Sequence, residues 1–338
     1  MTTSEPIRVG VVGLHFGAQV QVPAFRADPR CVVSALAGRD ARRTASVAED
    51  LGIPVAYGDW HALLAEGRID AVAIAVPPAE QPTIIEEAAR LGKHVFCEKP
   101  LASSVSAAEH ALASVQRAGV IHAVDFIFPE IPAWQLTRRL LGERAIGPIH
   151  HFSYTWRTQT LASRAKTDSW KNRTQDGGGA VGTFLSHVIF NLEWLLGEIA
   201  CIESVPRRAA ASAFVDGVAH LADGVHGSIA ISTDAYLGGG HHVEVFGESG
   251  TLVLRNSTPD YADGFEVSVG TRENGRLALV GHDAPGGVAD GRIAPVGRIV
   301  KRFVDAIRGE GEGIVTPNLE DGLRVQRWLQ RINDAHTH

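Results

Sequence analysis

The sequence predicts an α/β protein with an N-terminal doubly wound parallel sheet and a C-terminal α+β domain built on a mostly antiparallel sheet. Its 338 residues are enough for two ordinary hydrophobic cores. Up to residue 126, short apolar runs alternate with helical stretches, which is typical of βαβ units. After it, alternating strands are joined by glycine-rich turns. We therefore expect domains at residues 1–126 and 127–338, with the terminal helices able to pack back on the first.

In the first domain, strands and helices follow one another regularly. Strands are predicted at Ile7–Gly13, Val32–Ala37, Ala71–Val76, His94–Cys97 and Ile121–Phe126. The helical spacing of apolar positions predicts helices at Ala18–Arg26, Arg42–Leu51, Trp60–Glu66, Gln81–Leu91 and Val105–Ala118. Several of these helices end at a glycine suited to a left-handed C-cap: Gly52, Gly67, Gly92 and Gly119.

The second domain begins with helices and continues with strands. Its first predicted elements are a helix near Ala133–Leu141, a strand at Ile149–Trp156 and a long helix at Ala180–Leu196. Alternating apolar residues then predict strands at Ser228–Thr233, His242–Phe246, Thr251–Leu254 and Phe265–Val269. Two terminal helices are predicted at Val296–Arg308 and Leu319–Ile332.

Composition narrows the class of protein. With 45% hydrophobic and 21% charged residues, the sequence is typical of a soluble globular protein. A net charge of −6 gives no general attraction to nucleic acid or an anionic membrane, so we expect neither partner. The 3 cysteines form no CxxC, which argues against a disulfide framework and a zinc knuckle. With no signal peptide or membrane-spanning apolar run, we expect a cytoplasmic protein.

The first predicted strand leads into a turn of small residues, GVVGLHFGA, before a helix whose amides can hold a phosphate. A GxGxxG/A pattern aligns with Gly13, position 15 and Ala18, but His15 occupies the place of the second glycine. His15 can donate a hydrogen bond to a pyrophosphate, and Gly17 can supply flexibility. We predict a dinucleotide cofactor held by Gly13, His15, Phe16 and Gly17, the alternative being an ordinary strand–helix turn.

Selectivity for the cofactor is predicted at the end of the second strand, where the sequence reads Ala37-Gly38-Arg39-Asp40. No carboxylate occupies the strand tip to accept from a ribose 2′-hydroxyl, while Arg39 can clamp a 2′-phosphate. We therefore expect NADP(H) in preference to NAD(H). In the alternative, Arg39 is a solvent-exposed loop residue and Asp40 is the N-cap of the next helix.

The run Gly92–Leu101, GKHVFCEKPL, resembles a signature of the glucose–fructose oxidoreductase, inositol dehydrogenase and rhizopine catabolism (Gfo/Idh/MocA) family. The likeness extends to segments along most of the chain: Asp70–Val72, Pro77, Gly177–Gly179, His187, Trp194–Gly197, Phe246–Gly247, Gly250–Leu252 and Asp321–Leu323. It implies a Rossmann domain, a second domain with a large open sheet, and hydride transfer between NAD(P) and a sugar, cyclitol or other hydroxy or keto carbon. It also implies a homodimer or homotetramer formed through the exposed face of the second sheet.

The resemblance assigns the centre of the site to the EKP segment. It implies that Glu98 and Lys99 lie beside the nicotinamide ribose, that Pro100 follows a cis peptide, and that Pro77 contributes to the cofactor site. An ammonium beside the reacting oxygen polarises a carbonyl, stabilises an alkoxide and, when desolvated, exchanges a proton. We therefore expect Lys99 to be catalytic, against the alternative of an exposed turn lysine.

The histidine of the family's second-domain DxxxH element corresponds to His187. Thr183 stands in place of its aspartate, and Asn191 in place of a second acidic residue. An imidazole without a carboxylate partner is a weaker base. We therefore expect the proton to move through His187 with Thr183, through Lys99, or through another group such as Tyr154. A buried structural histidine is the alternative.

Substrate contacts are predicted for Tyr154, Thr183 and His187, and in two further segments. Asp125 begins DFIFPE, where many relatives carry an N-x-R sequence, so the substrate of a familiar member does not transfer. Trp156, Arg157, Trp170 and Arg173 precede a triple glycine and suit a sugar ring stacked on tryptophan with an anionic tail such as a nucleotide diphosphate. The same stretch also carries Arg164, Lys166 and Lys171. A solvated basic loop is the alternative.

No metal site is expected, because adjacent histidines on a strand point to opposite faces and no further spacing completes a set of ligands. We predict an NADP(H)-dependent oxidoreductase acting on a hydroxyl or keto carbon of a sugar-like or cyclitol-like small molecule. Two alternatives stay open: a non-catalytic, ligand-sensing regulator of the same fold, and a reductase of an imine or pathway intermediate.

Overall fold

The computed structural model describes residues 5–66, 68–165, 170–173, 176–204, 213–283, 290–311 and 315–335. The chain divides into two compact units. Unit 1 comprises Met1–Phe126 and Arg292–Gln326, and unit 2 comprises Ile127–Gly291 and Arg327–His338. The division falls at the predicted boundary after residue 126. The segment Arg292–Gln326, which the range 127–338 had included, belongs to unit 1.

Unit 1 is built on a parallel sheet of 6 strands. They are β1 Ile7–Val12, β2 Cys31–Ala37, β3 Val55–Tyr57, β4 Ala71–Ile74, β5 His94–Cys97 and β6 His122–Val124. Their order is β3-β2-β1-β4-β5-β6, and every neighbouring pair is parallel. The predicted doubly wound sheet is therefore confirmed. It also has a topological switch point between β1 and β4, where such folds bind ligands.

Capping residues mark the ends of several helices in unit 1. They are α1 Val22–Arg26, α2 Ala41–Asp50, α3 Trp60–Glu66, α4 Gln81–Arg90, α5 Val105–Ala118 and α9 Ile293–Ile307. The Ser104 hydroxyl accepts the Ala107 amide at the start of α5, and Gly119 ends that helix with φ +64°. Gly52 and Gly92 also have positive φ, as predicted, whereas Gly67 lies outside the described residues.

The core of unit 1 joins residues from distant parts of the sequence. Phe25, Phe96 and Phe303 are fully buried. Their ring centroids lie 5.4 to 6.3 Å apart in edge-to-face pairs. Phe303 comes from α9, so this helix completes a core that the first 126 residues begin.

Unit 2 contains a sheet of 8 strands. They are β7 Ile149–Arg157, β8 Ile199–Ser204, β9 Phe214–Leu221, β10 His226–Ser232, β11 Gly240–Gly247, β12 Gly250–Asn256, β13 Glu266–Thr271 and β14 Ala278–His282. Their order is β14-β13-β12-β11-β7-β10-β9-β8. The pair β7–β10 is parallel and the other pairs are antiparallel, which confirms the mostly antiparallel sheet.

Among the described residues of unit 2, the α-helices are α6 Pro132–Gly142, α7 Leu161–Ala165 and α8 Ser186–Leu196. A further helix, α10 Leu319–Ala335, crosses the division of the chain. The predicted helix at Ala180–Leu196 consists of a π turn, Val181–Leu185, followed by α8. Likewise, a π turn at Gly17–Gln21 precedes α1. Within the described ranges, no helix combines the length and apolar character needed to cross a membrane.

Candidate active site

The turn that follows β1 needs glycine at position 13 and has little space for a side chain at position 17. Gly13 has φ +127°, and a Cβ there would lie 2.3 Å from the Ala75 carbonyl oxygen. A Cβ at Gly17 would lie 3.0 Å from Val11 Cγ1. The turn is thereby held against the residue after β4, at the switch point of the sheet. This close backbone approach fits a dinucleotide-binding turn, with His15 exposed beside the two glycines.

A second basic residue joins this turn from far along the chain. The Arg292 guanidinium carbon lies 5.2 Å from the centroid of the Phe16 ring. Arg292 is the residue just before α9. The sequence analysis missed it, because nothing in the sequence pairs residue 292 with the first turn. Its cation adds positive potential beside this turn.

The tip of β2 carries the residues predicted to select the cofactor. Arg39 is 85% exposed, and its Nη1 lies 3.5 Å from Glu80 Oε1. The Asp40 carboxylate accepts the amides of residues 42 and 43, so Asp40 is the N-cap of α2. Arg43 Nη2 lies 3.4 Å from His15 Nε2. Two arginines and a histidine therefore lie around this tip, and Arg43 is an addition to the predicted set.

A buried glutamine holds the EKP segment. The Gln81 side-chain amide donates to the carbonyl oxygens of Glu98 and Pro100, each at 2.9 Å. The Glu98 amide donates to Gln81 Oε1 at 3.0 Å. The Lys99–Pro100 peptide is cis, as the resemblance implied. Pro77 precedes this glutamine in the turn before α4, where its carbonyl accepts the amide of residue 80. Gln81 fixes the backbone on both sides of Lys99.

A carboxyl group lies directly beside this segment. Asp125 follows β6 and is buried. Burial raises its pKa well above the usual range, the negative charge of Glu98 raises it further, and the cations of Lys99 and Arg292 oppose the shift. The carboxyl ends of β5 and β6 therefore gather two carboxyl groups and two cations. Asp125 was predicted to contact substrate, but in unit 1 it faces Glu98 and Lys99.

In unit 2, His187 lies in an aromatic setting. It is buried on α8, with its ring edge-to-face against Phe128 at 5.0 Å and tilted against Trp156 at 5.9 Å. Thr183 lies in the preceding π turn and donates its hydroxyl to the Gly179 carbonyl. The threonine side chain thus bonds to its own helix backbone, which differs from the oriented acceptor that an aspartate would present to His187.

Tyr154 belongs to a buried polar network of unit 2. Its hydroxyl lies 2.6 Å from His241 Nε2, and the Asn191 side chain donates to it at 3.1 Å. Burial lowers the pKa of His241 to about 3, so its ring is neutral at neutral pH and shares a hydrogen bond with the Tyr154 hydroxyl through Nε2. Burial also raises the pKa of Tyr154 far above its usual value. The structure therefore corrects the prediction that Tyr154 contacts substrate or exchanges its proton: it is a core residue.

Trp156 also differs from its prediction. Its side chain is 2% exposed. Its ring stacks on Phe184 at 4.0 Å and on His241 at 4.4 Å. The indole is already packed against these two rings, so it is not an exposed platform for a sugar ring. His241 belongs to one of the adjacent histidine pairs that were not expected to bind metal, because neighbouring residues of a strand point to opposite faces of the sheet.

The structure describes part of the predicted basic segment. Arg157 ends β7 and is exposed. Arg173 forms an ion pair with Asp176. Trp170 begins a short 3-10 helix, Trp170–Asn172, whereas Lys166 lies outside the described residues. In the described part of the chain, no three or more His, Cys, Asp or Glu side chains are grouped to hold a metal ion.

Comparison with known families covers both units of the chain. Residues 7–126 match a family described as "Oxidoreductase family, NAD-binding Rossmann fold". Residues 134–253 match the "GFO/IDH/MocA C-terminal domain". The two matches follow each other in the order that the sequence resemblance implied.

Individual relatives span nearly the whole chain. An uncharacterized oxidoreductase of Synechocystis sp. is 30% identical over 358 aligned positions, covering 99% of this chain and 95% of that protein. A levoglucosan dehydrogenase of Pseudarthrobacter phenanthrenivorans is 26% identical, covering 94% and 93%. A solved levoglucosan dehydrogenase in complex with NADH and levoglucosan superposes with a TM-score of 0.86 at 22% identity, covering 98% and 97%. This superposition supports the fold.

Proposed function

This chain belongs to the Gfo/Idh/MocA oxidoreductase family, and on that premise we propose that it transfers hydride between NADP(H) and a hydroxyl or keto carbon of a sugar-like or cyclitol-like molecule. One observation carries the proposal. Gln81 holds the backbone on both sides of Lys99 at the carboxyl edge of the parallel sheet. Ligands of open parallel sheets bind at that edge.

The residues of unit 1 fit a dinucleotide. Gly13 leaves no room for a Cβ and Gly17 leaves little, which supports close approach of a pyrophosphate to the backbone. When bound, the nicotinamide supplies or accepts the hydride. In this proposal the Lys99 ammonium donates a hydrogen bond to the reacting oxygen and stabilises its negative charge. His187 is the second candidate for exchanging the proton with that oxygen.

A preference for NADP(H) over NAD(H) is supported by the charges near the tip of β2. Arg39 and Arg43 lie there with His15. The Asp40 carboxylate, the nearest candidate to accept a ribose hydroxyl, already accepts two amides of α2. A 2′-phosphate would gain hydrogen bonds from the two arginines, and Arg39 would exchange its ion pair with Glu80 for this contact.

A sugar-like substrate is supported by the relatives, one of which is named levoglucosan dehydrogenase. The described part of the basic loop gives less support to an anionic tail, because Arg173 already pairs with Asp176. The first substrates to test are therefore uncharged aldoses, anhydrosugars and cyclitols. Nucleotide-linked sugars form the second group, for which Arg157 remains exposed.

Association into a homodimer or homotetramer through the open face of the second sheet is also part of the proposal. The outward side chains of the central strands are mostly polar, among them Ser153, Ser228 and Glu244. A depression of about 430 Å³ lies on this sheet. Light scattering of the native protein and of Ser228→Arg tests the surface, since a buried arginine would weaken association. A native monomer would contradict this part.

The catalytic assignment is tested with two lysines that flank the same strand. Lys99 follows β5 at the carboxyl edge, while Lys93 precedes it and donates to the Ile69 carbonyl at 2.8 Å. Lys99→Met is expected to lower kcat by about 10²–10⁴-fold, with NADPH affinity nearly unchanged. Lys93→Met is the matched control and should retain turnover. Full turnover by Lys99→Met, measured by nicotinamide absorbance over the sugar panel, would refute the proposal.

The proposed preference for NADP(H) is tested by measuring how tightly two arginine variants bind each nucleotide. Arg39→Ala and Arg43→Ala should weaken NADPH binding by about tenfold each, the effect of losing a charge-assisted hydrogen bond, and should leave NADH binding unchanged. Fluorescence titration of the protein with each nucleotide measures both affinities. Equal losses for the two nucleotides would show that these arginines do not recognise the 2′-phosphate.

A further inference from the structure

Glu98 and Asp125 are adjacent because strand pairing continues past the ends of β5 and β6. Cys97 and Val124 are paired in the parallel register. The Asp125 amide then donates to the Cys97 carbonyl at 2.9 Å. Each carboxyl residue is the first one beyond its strand, so the sheet itself brings the two side chains to the same edge.

The two carboxyl groups face each other in a buried setting. Asp125 is 1% exposed, and both its carboxyl oxygens are inaccessible to solvent. Glu98 Oε1 is inaccessible as well. No N–H or O–H donor of the described residues reaches the Asp125 oxygens, yet the Glu98 carboxyl lies within their hydrogen-bonding reach. Two ionised carboxylates are both acceptors, so this contact becomes a hydrogen bond only when one of them carries a proton.

The charges around the pair favour one proton and one negative charge. Lys99 and Arg292 are the cations that act on Asp125. The neighbouring Cys97 thiol is fully buried and donates to the Ala123 carbonyl, and burial raises its pKa, so it adds no charge. Two buried negative charges at hydrogen-bonding distance repel strongly, whereas a pair without any charge would leave the Lys99 ammonium without an anion in this cluster.

We propose that Asp125 is a positioning residue that keeps its proton at neutral pH and donates a hydrogen bond to the Glu98 carboxylate. The pair then presents a single negative charge to Lys99. Asp125 thus acts through Glu98 as a hydrogen-bond donor. Its donation fixes the plane of the Glu98 carboxylate, which in turn orients the lysine ammonium. The inference concerns residues of unit 1 alone, and it rests on the proposed function only where turnover is measured.

The protonation state is tested first on the protein without nucleotide or substrate. Infrared difference spectra of native protein minus Asp125→Asn at pH 7 should show the absorption of one protonated carboxyl group. In Glu98→Gln, which removes the neighbouring charge, Asp125 should lose its proton at a lower pH than in the native protein. Absence of the protonated absorption in native protein would overturn the inference.

Measurements of kcat then distinguish loss of the hydrogen-bond donor at position 125 from loss of its ionisable carboxyl group. Asp125→Asn keeps a donor of the same shape, so its kcat should stay within about threefold of native. Asp125→Leu removes the donor while keeping a side chain that branches at Cγ, and its kcat should fall about 10–100-fold with little change in KM, as for loss of a hydrogen bond to a charged group. Equal losses in both variants would overturn the inference.

The pH profile gives a further difference between the variants. At high pH, ionisation of Asp125 adds a second negative charge beside Lys99, so native kcat should change there in a way that Asp125→Asn does not. If the kcat values of native protein and Asp125→Asn showed the same dependence on pH in the alkaline range, the result would contradict the inference. If the native protein turns over no sugar with either nucleotide, the proposed function fails, while the infrared spectra still decide whether Asp125 is protonated.

Discussion

Because the buried His241 ring is neutral, we expect acid to lower the unfolding free energy of this protein by an amount that can be calculated. Its ring is 1% exposed, and burial holds its pKa near 3 in the folded state. In the unfolded chain a histidine titrates near pH ~6.5. Between these two values the unfolded chain binds a proton that the folded chain does not. Stability therefore falls as the pH drops through this window and is fully present above it.

The magnitude follows from the two pKa values. Between pH 7.5 and pH 5.0, protonation of this one histidine in the unfolded chain should cost about 2 kcal/mol of unfolding free energy. His241→Gln replaces the ring with a side chain that can accept the Tyr154 hydroxyl but does not titrate. Burial also lowers the pKa values of His94 and His122, and their effects cancel when the variant is compared with the native protein.

Urea unfolding at both pH values provides the assay. Fluorescence reports on unit 2, since Trp134 and Trp156 are buried there beside His241. The native protein should lose about 2 kcal/mol more than His241→Gln between the two pH values. His110→Gln, at an exposed position on α5, is the matched control and should behave like the native protein. An equal pH dependence in native protein and His241→Gln would refute the neutral buried ring.

Three further substitutions have defined outcomes. Gly13→Ala should lower the unfolding free energy by about 1–3 kcal/mol through backbone strain. It should also weaken NADPH binding in a fluorescence titration, because the added Cβ would clash with the Ala75 carbonyl oxygen. Gly52→Ala is the control and should leave NADPH binding unchanged, since the space for a Cβ at Gly52 is open. Tyr154→Phe should lower unfolding free energy by about 1–3 kcal/mol through unsatisfied partners, whereas the exposed Tyr236→Phe should not, as denaturant unfolding would show. Phe303→Ala should cost about 3–5 kcal/mol, seen as a lower Tm, and an unchanged Tm would contradict the aromatic core of unit 1.

Much of the fold could be predicted from local patterns in the sequence, such as helix-capping residues. Helix α5 matches its predicted range because Ser104 and Gly119 are strong capping residues. Strand β3 was missed, since Val55–Tyr57 is only 3 residues long and lies at the sheet edge. The π turns before α1 and α8 escaped prediction as well, because they have the same apolar spacing as the helices they precede.

Candidate site residues could be proposed from the sequence where a short motif points to them, as in the turn at Gly13 and the segment around Lys99. It could not be predicted where partners come from distant parts of the chain. Gln81 and Arg292 reach their places only through the folded sheet and through α9. Trp156 was expected to be accessible because an indole beside an arginine suggests a sugar platform, but sheet pairing sets it against His241.

The position of α9 has a consequence for synthesis on the ribosome. The aromatic core of unit 1 needs Phe303, and the Val124 amide donates to the Pro317 carbonyl. Residues 127–291 must be translated before either contact can form, a delay on the order of 10–30 s at bacterial or eukaryotic elongation rates. During that interval the Phe25 and Phe96 rings lack their Phe303 partner, so the nascent unit 1 cannot complete its aromatic core until the intervening unit has been synthesised.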